Sequence, residues 1–316
     1  MELREIGCMN QRVVENVERP GTIARWWWES ICWLQRCHPR MPGRWRLARL
    51  VQARQALLAG LPAGVRDLAP GCRLYIDPGD YDGLNYLLYG INHAEPVTRL
   101  LLALIQPGDK VLDVGANVGF FSVLASKLVG PTGAVVAFEA SPVTFARLAA
   151  ARTPHRNISA VHCAVSDRLG ELEFSLGPPG HSGMASLRVL DAADRRVRVQ
   201  AITLDSRLAE LPKTALVKID VEGAECMALR GMVGLLARDR PVVVLELTPR
   251  FLASFGHAPQ DIIELMGRHG YLARRVIDRQ PFTGLGETEF QCDLVFVPQE
   301  RDRWLLDATE PGPRRP

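Results

Sequence analysis

With 316 residues, 47% of them hydrophobic, the chain can bury a sizeable core as one large or two modest domains, which excludes a disordered tail or a fibre. The formal net charge of +3 is uneven: residues 1–60 hold ten Arg and five Glu with no Lys or Asp, which leaves the remainder slightly acidic. A nucleic-acid reader would carry a basic stripe on its main domain, so no nucleic-acid partner is expected.

Seven cysteines (Cys8, Cys32, Cys37, Cys72, Cys163, Cys226, Cys292) are scattered without a Cys-x-x-Cys pair. Neither a disulfide framework nor a zinc cage follows from that spacing, and reduced, mostly buried thiols are expected. Cys32, Cys37 and His38 lie close together but no second ligand cluster follows, so no metal site is assigned. No apolar run approaches the ~18–20 residues of a membrane span, and the start, with Glu2, Arg4 and Glu5, does not read as a signal peptide. The expected location is the cytoplasm.

Residues 1–62 hold five of the six Trp, in Trp26-Trp27-Trp28, Trp33 and Trp45, among arginines and prolines. Trp27, Ile31 and Leu34 fall at helical spacing. This favours a helical N-terminal extension that packs on the body or a second subunit, over a peripheral membrane contact made by Trp and Arg. Leu61-Pro62-Ala63-Gly64 marks a boundary, and the main domain is expected over 63–300. Cys72–Asp77 reads as a strand, and Glu95–Ile105 as a helix that stops before Pro107-Gly108.

Strands and helices then alternate: Lys110–Val114, Phe120–Leu128, Ala134–Glu139, Pro142–Ala151 and Ile158–Val165. That alternation predicts an α/β fold with a parallel, doubly wound sheet. Ser166–Leu211 breaks the rhythm with short strand-like pieces at Leu172–Ser175 and Val197–Ala201, and reads as an insertion near the pocket mouth. The rhythm resumes with strand Leu216–Asp220, helix Ala224–Leu236, strand Pro241–Leu247 and helix Pro259–Arg268, and strands Leu272–Val276 and Asp293–Val297 finish the sheet. Residues 301–316 are expected to be a flexible tail.

The turn Gly115-Ala-Asn117-Val-Gly119 follows a strand and opens a helix, so its glycines let a ligand approach backbone N–H groups. It lacks the third glycine of a dinucleotide fingerprint, and Asp113 and Asn117 suit a ligand with an ammonium and a carboxylate. Glu139 ends the next strand, where an acid accepts from both ribose hydroxyls. Asp167, after the third strand, could accept from an exocyclic amine. Amino acid, ribose and adenine together describe S-adenosylmethionine. Each residue has an ordinary alternative: a turn cap for Asp113, a solvated strand end for Glu139, and turn chemistry for Asp167. Their order along one sheet edge favours the ligand.

Lys218-Ile-Asp220-Val-Glu222-Gly-Ala-Glu225 forms the second cluster. Lys218 and Asp220 share a strand face, and only four Lys occur among 38 basic residues. A buried Lys must be paired or lose its proton, and Asp220 or Glu222 is the available partner. The pair is either a plain ion pair or a carboxylate placed to take a proton from an acceptor hydroxyl. Glu246 could reach the same pocket or be a solvated strand end. An acid-lined site could also hold Mg2+, although no motif supports it.

Asp113-Val-Gly-Ala-Asn-Val-Gly-Phe-Phe-Ser122, Phe138-Glu-Ala-Ser-Pro142, Ala164-Val-Ser-Asp167 and Lys218–Glu225, in this order, resemble the FkbM family of S-adenosylmethionine-dependent methyltransferases over roughly 72–298. The resemblance implies a class I methyltransferase (Rossmann-like) sheet of seven strands with the last antiparallel, and O-methylation of a hydroxyl on a sugar, glycolipid or natural product. It also implies that Asp113, Gly115, Ala116, Asn117, Gly119 and Glu139 hold the cofactor, with Ser166 and Asp167 on the adenine side. Lys218, Asp220 and Glu222 would border the reacting methyl. The alternatives are an NAD-dependent oxidoreductase and a non-catalytic S-adenosylmethionine-binding module on the same fold.

Overall fold

The structure, a computed structural model, describes residues 62–69, 72–90, 94–152, 155–188, 195–282, 284 and 291–309. The Trp-rich segment with Cys8, Cys32, Cys37 and His38, and the final residues 310–316, lie outside the described residues. The chain divides into two compact units. The described part of one, residues 62–64 and Ile76–Gly90, holds the helix Tyr81–Tyr89, begun by Asp80, whose side chain accepts from the Asp82 N–H at 3.1 Å. The other holds Val65–Tyr75 and everything from residue 91 onward.

The larger unit is built on a seven-stranded sheet. Its strands are β3 (Lys110–Val114), β4 (Ala134–Glu139), β5 (Ile158–His162), β9 (Leu216–Ile219), β10 (Val242–Leu247), β11 (Tyr271–Arg275) and β12 (Cys292–Pro298). Their order is β11-β12-β10-β9-β3-β4-β5. β12 runs antiparallel to both neighbours, whereas β3, β4, β5, β9 and β10 pair in parallel, so the sheet has the implied seven strands and one reversed strand.

Parallel strands covered on both faces must be apolar almost throughout. Accordingly Leu112, Val217, Ile219, Val243, Leu245, Leu294 and Phe296 are fully buried in one core. Truncating Phe296 alone would cost about 3–5 kcal/mol through lost burial and the cavity left behind.

Strand order reverses beside β3: β4 and β5 follow on one side, β9 and β10 on the other. A switch point of this kind opens a crevice at the carboxyl ends of the strands. It also explains how two motifs a hundred residues apart meet, since Asp113 of β3 stands opposite Lys218 of β9 in the register.

Three elements depart from the sequence expectation. The strand expected over Ile158–Val165 is two: β5 ends at His162, and β6 (Ala164–Val165) joins β7 (Gly170–Ser175) and β8 (Arg196–Ile202) in a second sheet of order β6-β8-β7. The helix expected over Ala224–Leu236 is broken into Glu225–Arg230 and Val233–Asp239. The Ser166 carbonyl packs where a Cβ on Gly231 would sit, and Asp205 accepts from Gly234 and Leu235 N–H at 2.8 and 2.9 Å, starting the second piece anew. Asp302–Thr309, within the expected flexible tail, is a helix: Leu305 is fully buried and Arg274 grips Asp302 with two hydrogen bonds of 2.5 Å. Also unforeseen are strand β1 (Gly64–Ala69), which pairs with β2 (Cys72–Ile76), and the short helix Pro249–Ala253.

Candidate active site

The first half of the site is the turn after β3. Gly115 and Ala116 both donate to the Phe138 carbonyl at the end of β4, at 3.0 and 2.9 Å, which ties the turn to the neighbouring strand. Gly115, Asn117 and Gly119 have φ of 78°, 50° and 96°, so three of five residues are left-handed. Two of these positions require glycine: a Cβ on Gly115 would lie 1.8 Å from the Asp220 carbonyl oxygen, and Gly119 sits at a φ of 96° that L side chains rarely adopt. Left-handed Asn117 is held because its N–H donates to Glu139 Oε2 at 2.7 Å.

Glu139 anchors this turn. Besides Asn117, it accepts from Ser141 N–H and Thr144 Oγ1 at 2.7 and 2.8 Å, both on Oε1. Burial pushes its carboxyl up against the pull of those hydrogen bonds. A carboxylate has about four acceptor sites, so one remains on Oε2, fewer than the pair expected for two ribose hydroxyls. Asp113 is 1% exposed, with Oδ2 accepting from Ser122 Oγ at 2.5 Å. Its Oδ1 and the Asn117 Oδ1 are buried with no hydrogen-bond partner among the described residues. Burial raises the Asp113 carboxyl above its ordinary value, and the Lys218 ammonium opposes this.

The second half follows β9. Asp220 stays in register, donating its N–H to Val114 at 3.0 Å. Lys218 Nζ lies 2.9 Å from Asp220 Oδ2 and 4.5 Å from the centre of the Phe121 ring. Burial would pull the Lys218 pKa down, but the Asp220 and Asp113 carboxylates outweigh it and hold it up, so the ammonium persists. Of the two partners expected for Lys218, Asp220 or Glu222, the structure pairs it with Asp220.

Glu222 turns the chain with a left-handed φ of 53°, followed by Gly223 at 107°. Carboxylate oxygens of Asp220, Glu222 and Glu246 lie within 4.8 Å of one another. Across the β10–β12 register Glu246 stands opposite Asp293. Two like charges 4.8 Å apart, as in the Asp220, Glu222 and Glu246 group, repel by about 3.5 kcal/mol at an effective dielectric of roughly 20. The proximity of Asp220, then burial, Asp293 and Glu222, push Glu246 up to about 9 against the Lys218 ammonium. Burial and Asp220 push Asp293 up to about 6. Near neutrality the group is thus driven to hold a proton, most strongly at Glu246. Three such oxygens are also close enough to share a hard cation such as Mg2+.

Ser166 and Asp167, expected on the adenine side, stand apart from the glycine turn. They follow β6 in the second sheet; Ser166 is fully buried and donates its N–H to Ile202 at 2.8 Å, while the Asp167 side chain is exposed. No hydrogen bond joins them to the glycine turn among the described residues, and Ser166 Oγ donates to Asp167 at 3.3 Å.

Sequence reasoning assigned Asp293 and Glu225 no role. Asp293 has no motif around it, and only the strand register reveals it. Glu225 closes the Lys218–Glu225 motif, and its burial was the missing signal. The insertion does reach the site's neighbourhood: the Arg188 guanidinium stacks 3.7 Å over the Phe251 ring, and Phe251 backbone packs where a Cβ on Gly223 would sit. Cys72, Cys163, Cys226 and Cys292 form no disulfide among the described residues, and burial pushes Cys163 and Cys226 up to about 12, which removes them as nucleophiles.

Residues 113–273 match the model of the methyltransferase FkbM domain, a span that contains both halves of the site. The chain belongs to the FkbM methyltransferase domain family. It is 34% identical over 161 residues to the 31-O-demethyl-FK506 methyltransferase FkbM of Streptomyces tacrolimicus, covering 40% of this chain and 61% of that protein. It is 30% identical over 176 residues to the hexuronic acid methyltransferase AglP of Haloferax volcanii, covering 54% and 67%. The match thus spans less than two thirds of the Streptomyces relative's length. Among solved structures, methyltransferase FkbM from Methylobacillus flagellatus KT aligns with 15% identity and a TM-score of 0.39, covering 68% of this chain and 52% of that one.

Proposed function

We propose that this FkbM-family chain transfers a methyl group from S-adenosylmethionine to a hydroxyl oxygen on a sugar, glycolipid or natural product. The observation that carries the reading is the junction of β3 and β9, where the glycine turn lies against the backbone of Asp220 and the Lys218–Asp220 pair borders the same edge. The residues fit the cofactor chemically. Asp113 Oδ1 and Asn117 Oδ1 are buried acceptors without partners among the described residues, in a turn whose backbone has no side chains at Gly115 and Gly119.

Bound S-adenosylmethionine supplies an electrophilic methyl on a sulfonium. The protein's share is then alignment and a modest base. Asp220, whose side chain is 27% exposed, is the carboxylate that can accept the acceptor hydroxyl's proton as the oxygen–carbon bond forms and the methyl–sulfur bond breaks. Lys218 fixes Asp220 in place, and Glu222 and Glu246 line the approach. The relatives named for a natural product and a hexuronic acid support a hydroxylated acceptor. Among the described residues no helix is long and apolar enough to cross a membrane. A cytoplasmic enzyme without a nucleic-acid partner is the setting we propose, and the family match disfavours an NAD-dependent oxidoreductase.

The test is calorimetry with S-adenosylhomocysteine, followed by mass-spectrometric screening of hydroxylated glycans and glycolipids for methyl gain. Binding with transfer supports the reading. Binding with no transfer to any acceptor points to the non-catalytic module, and no binding overturns the cofactor assignment.

A further inference from the structure

Asp220, Glu222 and Glu246 come together only because the chain turns sharply after β9, and that turn is held by a group outside them. Glu222 is a non-glycine residue at φ 53°, and Gly223 follows at 107°. Phe251 blocks any relaxation toward its side, since its carbonyl oxygen lies 2.7 Å from where a Gly223 Cβ would be. The Gly223 N–H is taken up by Glu225 Oε1 at 2.9 Å. Glu225 is 2% exposed, and its Oε2 is buried with no hydrogen-bond partner among the described residues.

We propose that Glu225 is a positioning residue: by accepting the Gly223 N–H it fixes the left-handed Glu222–Gly223 turn and so aims Glu222 at Asp220 and Glu246. The inference deepens the proposed methyl-transfer site and rests on that reading for its purpose, though the geometry stands apart from it. The role belongs to the acceptor atom and not to the charge. Burial pushes the Glu225 carboxyl up to about 7, helped by Asp220 and opposed by the Gly223 hydrogen bond. In either ionisation state Oε1 can accept, with the proton of the neutral form on the unpartnered Oε2.

The distinction sets the test. Glu225→Gln keeps an acceptor oxygen at the same reach without a charge, Glu225→Asp keeps the charge one methylene short, and Glu225→Ala keeps neither. The readout is Glu246 in full-length protein carrying 13C-carboxyl glutamate, titrated by NMR and assigned with Glu246→Gln. Its ionisation reports how closely Asp220, Asp293, Glu222 and Lys218 surround it. In the parent and in Glu225→Gln, Glu246 is expected to titrate high, near 9. In Glu225→Asp and Glu225→Ala it is expected to fall below the parent value as Glu222 swings away, while Asp220, burial and Asp293 still hold it above the ordinary carboxylate range.

Should the alanine variant not fold, the Gln and Asp variants decide the matter. Three results would overturn the proposal: the Asp variant behaving like the parent, the Gln variant falling with the others, or a parent Glu246 titrating as an ordinary carboxylate. S-adenosylhomocysteine affinity measured on the same samples separates the two readings, because a parent that binds none refutes the cofactor assignment while leaving the Glu246 comparison intact.

Discussion

Removing the Lys218 ammonium should expose how the site balances its charge. Lys218→Met keeps the stem's apolar volume among Phe121 and the strand residues but leaves Asp113, 1% exposed, and Asp220 without the cation that faces both. Breaking a buried ion pair from one side costs about 3–5 kcal/mol. For a domain of roughly 150–250 residues that is a fall in Tm of about 6–20 °C. The pH dependence has a definite sign. The Lys218 pKa is raised in the folded state, so its contribution is complete below the unfolded lysine value of about 10.4 and is lost only as pH rises through the folded value. In the variant the penalty sits on the carboxylates instead, so it should shrink as pH falls and Asp113, already raised, takes up a proton. Urea denaturation of parent and variant at pH 5 and pH 8 measures both effects. A loss below about 1 kcal/mol at pH 8, the range of an exposed pair, or a loss equal at both pH values, would refute the charge balance described.

Gly115→Ala places a Cβ 1.8 Å from the Asp220 carbonyl oxygen at a φ of 78°, so S-adenosylhomocysteine binding by calorimetry should be lost together with about 2 kcal/mol or more of stability; unchanged affinity would disprove the close approach. Glu246 is raised to about 9 in the folded state, so ionising it erodes stability as pH climbs from the unfolded value of about 4.3 toward 9. Glu246→Gln should therefore gain on the parent over that window, by about 1 kcal/mol or more near pH 8, whereas a constant difference in melting curves from pH 5 to 9 would contradict the crowding of the carboxyls. Transfer should be insensitive to EDTA if Lys218 and the Glu246 proton balance the acids; a loss that Mg2+ restores would place a cation among Asp220, Glu222 and Glu246.

Much of the fold was readable because local signals and burial agree. Lys110–Val114 and Ala134–Glu139 are strands with the expected bounds, since apolar runs between turn residues leave little freedom, and Pro142–Ala151 begins at Ser141 and Pro142, an N-cap and a first-turn proline. The misses have non-local causes. Ile158 to Val165 reads as one strand-like run interrupted only by Ser159 and His162, and nothing in it says that the chain changes sheets at Cys163. The helix break at Gly231 depends on Asp205 and Ser166, both far away in sequence.

The site divides the same way. Lys218 and Asp220 were legible because two-residue spacing on a strand fixes their face. For Glu139 the importance was legible, but not that most of its acceptor capacity is already taken. Its three protein donors come from a turn, a strand end and a helix that only folding brings together. Asp293 became visible through the antiparallel register alone.

The central claim is that Asp220 serves the acceptor and the glycine turn serves the cofactor. It is tested most directly by following labelled methyl from S-adenosylmethionine into an acceptor found by screening, with the parent and Asp220→Ala side by side and S-adenosylhomocysteine affinity measured on both. Affinity is expected to stay within about threefold while transfer falls roughly 100-fold or more, as loss of a positioned base does. An Asp220→Ala variant that transfers methyl at the parent rate would contradict it.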